Sequence, residues 1–127
     1  MSAIHTKPAS ISLLKLLDPI GPELVRVEEA LAEQTSGFDE GVGHYVQYVL
    51  DGTGKRLRPS LALLSGGATG RITADHITLG VIVELIHVAT LVHDDVLDEA
   101  DIRRQGATVN RLRGNEAAVV LGDYVFS

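Results

Sequence analysis

Apolar residues recur at helical spacing along most of the chain, and proline and glycine divide them into segments. Ile11 to Leu17 is apolar and short, and Asp18-Pro19 breaks it. Pro22 suits a first helical turn, and Leu24, Val27 and Leu31 follow on one face up to Ser36-Gly37. Asp39 to Leu50 reads as a second helix with Val42, Tyr45, Val46 and Val49 along one side. Asp51-Gly52-Thr53-Gly54 is a loop by composition, and Pro59 can open a helix that runs through Ser65 and stops at Gly66-Gly67. The strongest segment begins at Thr73, a good N-cap, with Asp75 in the first turn. It predicts a helix from about Ala74 to about Glu99. Leu79 to Val92 is apolar on nearly every side, which places this helix inside a bundle rather than on its surface. Ala107 to Arg113 is ambiguous. Asn115 can cap a last helix whose residues Ala117 to Phe126 look buried and which meets the end of the sequence without a stop signal.

Composition agrees with packed helices. The 127 residues fit one domain, 45% are hydrophobic, and there are two Phe, three Tyr and no Trp, so Leu, Val, Ile and Ala must build the core. A net charge of −6 argues against nucleic-acid binding. The absence of cysteine excludes disulfides and Cys-based zinc sites. The sequence shows neither a signal peptide nor an uncharged apolar run long enough to span a bilayer, so the expectation is a soluble, cytoplasmic protein with no membrane span.

The chemistry is concentrated in His93-Asp94-Asp95-Val96-Leu97-Asp98-Glu99. At about 100° per residue, Asp94 and Asp98 share a helical face one turn apart, with His87 two turns before Asp94 on nearly the same line. Asp95 is rotated aside, and Asp101 would rejoin the face if the helix continued. Two carboxylates about 6 Å apart repel each other unless a cation lies between them. Oxygen-only ligands favour Mg²⁺ or Ca²⁺, and Mg²⁺ takes one or two carboxylates and completes its shell with water and phosphate. The spacing does not fit an EF-hand loop. A solvated acidic helix end is the simpler alternative, but acidic groups at a helix C-terminus oppose the macrodipole without a cation. Two basic clusters flank the run. Lys55, Arg56 and Arg58 stand in Gly54-Lys55-Arg56-Leu57-Arg58-Pro59, and Arg103-Arg104 follows the acidic residues. Singly each reads as a solvated basic surface; together with the carboxylates they suit a metal-bound diphosphate. Glu84 would partner a nearby cation or His87, and His93 and His76 read as structural or exposed.

These segments resemble the trans-polyprenyl diphosphate synthases. Gly54 to Pro59 is similar to that family's GKRLRP segment, and Glu84 to His87 followed by His93 to Asp98 to its first aspartate-rich motif. Asp101-Ile102-Arg103-Arg104 is similar to its arginine pair and Gly122-Asp123-Tyr124 to its next buried helix. The resemblance covers roughly residues 10 to 127. It implies an all-α, antiparallel helical bundle, with residues 1–127 forming a single partial domain, the N-terminal half of a catalytic domain with the isoprenoid synthase fold. It implies a prenyltransferase that ionises an allylic diphosphate, adds isopentenyl diphosphate and loses a proton, with no nucleic acid as partner. By the same resemblance, Asp94 and Asp98 hold Mg²⁺ with Asp95 in support, and Arg103 grips the allylic diphosphate. Lys55, Arg58, His87 and Arg104 bind isopentenyl diphosphate. Small residues at Ala89 and Thr90 imply a product of geranylgeranyl length or longer. Gln105 stands where the family usually has glycine, and no proline precedes Thr108. The family's second aspartate-rich motif has no counterpart in these residues. The expectation is therefore a truncated or fragmentary chain, inactive alone, exposing apolar helix faces and associating as a homo-oligomer such as a dimer. The competing reading is a non-catalytic diphosphate-binding or regulatory subunit of a heteromeric synthase; a DDxxD-bearing hydrolase or cyclase fits the basic clusters less well.

Overall fold

The computed structural model describes residues 12–52, 54–103 and 106–127. It is an all-α bundle of α1 (Leu13–Leu17), α2 (Gly21–Ser36), α3 (Glu40–Gly52), α4 (Leu57–Ala68), α5 (Ala74–Leu97), α6 (Val109–Arg113) and α7 (Asn115–Phe126). A 3-10 turn, Asp18–Ile20, joins α1 to α2 at the expected Asp18-Pro19 break. Between α5 and α6 lies a small antiparallel hairpin of β1 (Ile102–Arg103) and β2 (Gly106–Ala107).

The core runs along α5, which packs most extensively on α7 and α4 and then on α2. Val27, Leu31, Val46, Leu50, Leu63, Val88 and Ala118 are almost completely buried there. Each Val or Leu buried this fully contributes roughly 1.5–3 kcal/mol relative to exposure. Thr73 starts α5, and its backbone N–H donates to His76 Nδ1 at 2.9 Å, so His76 acts where a capping box usually has Glu. His76 is thus structural.

Three expectations need correction. Gly66-Gly67 does not end α4, which continues to Ala68. A Cβ on Gly66 would lie 2.6 Å from the His76 ring, so the glycine admits α5 closely rather than breaking the helix. α5 is not interior all round, because Leu79, Ile82 and Ile86 are 45%, 47% and 45% exposed along one strip. α7 likewise buries one face through Ala118, Leu121 and Gly122 while Val119, Val120 and Phe126 are exposed. In both helices apolar residues outnumber what the neighbouring elements cover, a feature that periodicity alone does not disclose. By length and hydropathy α5 also qualifies as a helix able to cross a membrane; here it carries a buried, ion-paired Glu84 and packs against α7, α4 and α2.

Candidate functional site

The candidate site lies along α5, where the loop before α4 reaches the middle of the helix and α7 packs beside it. The loop from Gly54 to Arg56 turns through two positive backbone angles, φ 90° at Gly54 and φ 53° at Arg56. This turn aims the head of α4 at the middle of α5. Arg58 Nη1 lies 3.1 Å from His87 Nε2. A guanidinium only donates, so this contact is a hydrogen bond when His87 carries its proton on Nδ1. Lys55 and Arg58 are both exposed and His87 is half-buried. The sequence grouped Lys55 and Arg58 by charge and joined His87 to them only through the family resemblance; the fold brings Arg58 and His87 into contact.

Arg56 behaves differently from its neighbours. Its Nε donates to Glu28 Oε1 at 2.6 Å, and its Nη1 donates to Glu84 Oε1 at 3.2 Å and to the Leu50 carbonyl at 3.0 Å. Glu84 thus has a cation as its partner, the first of the two alternatives read from the sequence.

At the other end of α5, Asp98 N–H donates to the Asp94 carbonyl at 2.8 Å, which keeps the two residues one helical turn apart. The helix stops at Leu97, two residues short of the expected end. Glu99 adopts φ 52°, Glu99 N–H bonds Val96 O at 3.3 Å, and Ala100 N–H bonds Asp95 O at 2.9 Å. That pair of bonds is a Schellman closure with glutamate in the left-handed position usually held by glycine. Asp101 therefore leaves the helical face. Asp94 and Asp98 are exposed, whereas Asp95 is 6% exposed. Among the described residues the side chains of Asp94 and Asp98 have no ion-pair or hydrogen-bond partner. No three His, Asp or Glu side chains among them converge into a complete metal cage. Two open carboxylates on one turn nevertheless fit Mg²⁺, which needs only one or two from protein.

After Asp101 the backbone of Arg103 pairs with Gly106 in the hairpin. The hairpin is fastened by Thr108 Oγ1 donating to Ala100 O at 2.7 Å and by Tyr48 Oη donating to Ala107 O at 2.6 Å. The side chain of Arg103 and the whole of Arg104 and Gln105 lie outside the described residues.

The sequence marks His93 as structural or exposed without showing what it packs on. His93, next to Asp94, turns away from the carboxylates and reaches α7, its Nε2 3.0 Å from Val119 O and 3.4 Å from Asp123 Oδ1. Its ring occupies the space a Cβ on Gly122 would need. His93 is structural. A glycine inside an apolar helix was the available signal, since it costs about 1 kcal/mol against alanine unless something packs closely there.

The match to known proteins agrees with this arrangement. Residues 39–127 match the family model described as Polyprenyl synthetase. The chain belongs to the polyprenyl synthetase family. It is 37% identical over 117 residues to octaprenyl diphosphate synthase of Escherichia coli, covering 92% of this chain and 36% of that one. It is also 37% identical to the chloroplastic solanesyl diphosphate synthase 2 of Arabidopsis thaliana, over 92% of this chain and 30% of that protein. The chain therefore spans about a third of the length of the curated relatives it matches. Among solved structures, decaprenyl diphosphate synthase from Rhodobacter capsulatus superimposes with a TM-score of 0.81 at 34% identity, covering 88% of this chain and 35% of that one. A polyprenyl synthase from Caulobacter crescentus, complexed with calcium and isoprenyl diphosphate, gives a TM-score of 0.84 at 26% identity, over 91% and 35% of the two chains. These neighbours bear out the all-α isoprenoid synthase fold.

Proposed function

We propose that this chain carries one wall of the active site of a trans-polyprenyl diphosphate synthase, the wall that grips diphosphate and Mg²⁺. The observation that carries this reading is the division of α5. Its middle meets a basic helix start through the Arg58–His87 contact, while its end offers two carboxylates with no partner among the described residues. In this reading Asp94 and Asp98 hold Mg²⁺, which offsets charge on the departing diphosphate, and Asp95 supports them. Lys55, Arg58, His87 and Arg104 bind isopentenyl diphosphate and Arg103 binds the allylic diphosphate. The exposed strip of Leu79, Ile82, Ile86 and Thr90 gives the prenyl chain an apolar wall that excludes water from the carbocation. Thr90 lies open on that strip, whereas Ala89 is completely buried. Bulk at position 90 would thus meet a growing chain, which supports a product of geranylgeranyl length or longer. The enzyme acts in the cytoplasm, and the exposed face of α7, with Val119, Val120 and Phe126, serves association, including dimer formation.

A second reading is a diphosphate-binding subunit that does not elongate, which would use the same carboxylates and basic residues. Titration of the chain with an unreactive thio-analogue of farnesyl diphosphate tests the shared part. Binding that depends on Mg²⁺ and is lost in Asp94→Asn with Asp98→Asn is expected; binding indifferent to EDTA would overturn it. Incubation with Mg²⁺, farnesyl diphosphate and labelled isopentenyl diphosphate separates the two readings. No elongation is expected from these residues alone. Elongation restored by mixing with a chain bearing another aspartate-rich cluster, and lost when Asp94 is changed, supports the catalytic reading.

A further inference from the structure

Four helices meet at one residue outside the proposed ligand set. The Arg56 side chain reaches α2 at Glu28, the end of α3 at the Leu50 carbonyl and the middle of α5 at Glu84. Its backbone carbonyl receives both Ser60 N–H at 3.0 Å and Ser60 Oγ–H at 2.8 Å, and so opens α4. Its φ of 53° is a conformation glycine would hold with less strain. What glycine could not supply is the guanidinium, whose side chain is only 13% exposed against a Glu84 side chain that is 3% exposed.

The geometry points to a positioning role: we infer that Arg56 locks the left-handed turn before α4 onto α5 so that Arg58 is held against His87. The inference rests on the proposed diphosphate reading for its functional meaning. Its structural basis is the register of two parallel links. Arg56 and Arg58 lie two residues apart across the head of α4, and their partners Glu84 and His87 lie three apart, one turn along α5. The first link is a buried, charge-assisted pair with fixed fork geometry, which resists rotation better than a lysine contact would. The second joins an exposed arginine to a half-buried histidine and has little burial of its own to hold it. With the first link removed, the turn loses its ion pair to α5, and Arg58 loses the anchor two residues upstream that sets its approach to His87. Lys55, between the two positive-φ residues, would lose its orientation by the same release.

The test compares the wild-type chain with Arg56→Gly, which keeps the turn and removes the guanidinium, and Glu84→Gln, which keeps the shape and removes the charge. Long-range ¹⁵N spectra report whether His87 Nε2 is a hydrogen-bonded, unprotonated acceptor, and titration reports affinity for inorganic pyrophosphate. In Arg56→Gly, His87 is expected to shift to averaged tautomers and pyrophosphate affinity to fall about ten-fold, the scale seen when the supports of a ligand-holding group are removed. Arg56→Lys should recover melting temperature more fully than the His87 signature. A lower melting temperature with an unchanged His87 spectrum and unchanged affinity would mean that Arg56 only stabilises the fold, and would overturn the inference. Should Arg56→Gly fail to fold, Glu84→Gln makes the same comparison with the Glu28 and Leu50 contacts intact. If even wild type binds no pyrophosphate, the diphosphate reading fails, and the His87 spectra alone still decide whether Arg56 positions Arg58.

Discussion

The basic corner before α4 and the acidic end of α5 both place a non-glycine residue in the left-handed region, yet they are held in opposite ways. At the corner, Arg56 is fixed by side-chain bonds to three other elements, two of them to carboxylates. At the acidic end, Glu99 is held by backbone bonds, and the neighbouring Asp94 and Asp98 side chains have no partner among the described residues. Charge at the first place is satisfied within the protein; charge at the second is exposed to solvent. A dense run of charged residues is therefore a poor guide until it is divided into groups that pair internally and groups that do not.

Breaking the corner should have the largest effect on stability. Arg56→Ala strips the Arg56 cation from Glu84, whose side chain is 3% exposed. The expected loss is about 3–5 kcal/mol, measurable by urea denaturation, because removing one partner of a buried pair costs far more than the pair itself contributes. Full stability in this variant would mean that Glu84 finds another cation or stays hydrated.

Next comes the tie that holds the acidic end against α7. Gly122→Ala would place a methyl group in the His93 ring. Overpacking at such a contact costs about 1–3 kcal/mol. His93→Ala in the same background should recover part of the loss, since it vacates the space. If the double variant is no more stable than Gly122→Ala, the two residues do not share that space.

A smaller change should go the other way. Glu99→Gly removes a left-handed strain of about 1–2 kcal/mol and adds glycine's entropic cost of about 0.5–1 kcal/mol. The net expectation is a gain of about 0.5–1 kcal/mol in thermal or chemical denaturation. Destabilisation would show that the Glu99 side chain makes an interaction worth more than the strain.

The same contrast explains what was legible from the sequence. The segments that became α2, α3 and α5 were readable because proline, threonine caps and apolar spacing agreed. The end of α5 was read two residues late because its closing residue is Glu99, and a left-handed glutamate has no sequence signature comparable to glycine. Gly66 misled for the converse reason, being chosen by the approach of His76 rather than by a chain break. Glu84 was read as a partner for a nearby cation or for His87, and Arg56 is such a cation. Arg56 was read as one of three alike cations, because only the tertiary fold brings Glu28, Leu50 and Glu84 around it. Arg58 and His87 are 29 residues apart, and no local pattern in either segment contains the other.

The smallest stability effect is expected where the functional effect should be complete. Asp94→Asn and Asp98→Asn alter exposed carboxylates with no partner among the described residues, so neither leaves an orphaned group behind. Each also relieves repulsion between like charges one turn apart and reduces negative charge at a helix C-terminus. Folding stability should therefore change by less than about 0.5 kcal/mol, in the stabilising direction. Adding Mg²⁺ with a prenyl diphosphate analogue should raise the melting temperature of the wild-type chain and leave that of the double variant unmoved, since a ligand stabilises only the state that binds it. The acidic end would then be a place where the fold forgoes stability that neutral residues could provide. An equal ligand-induced rise in both proteins would instead make Asp94 and Asp98 an ordinary solvated helix end, and would move the search for the metal site elsewhere in the chain.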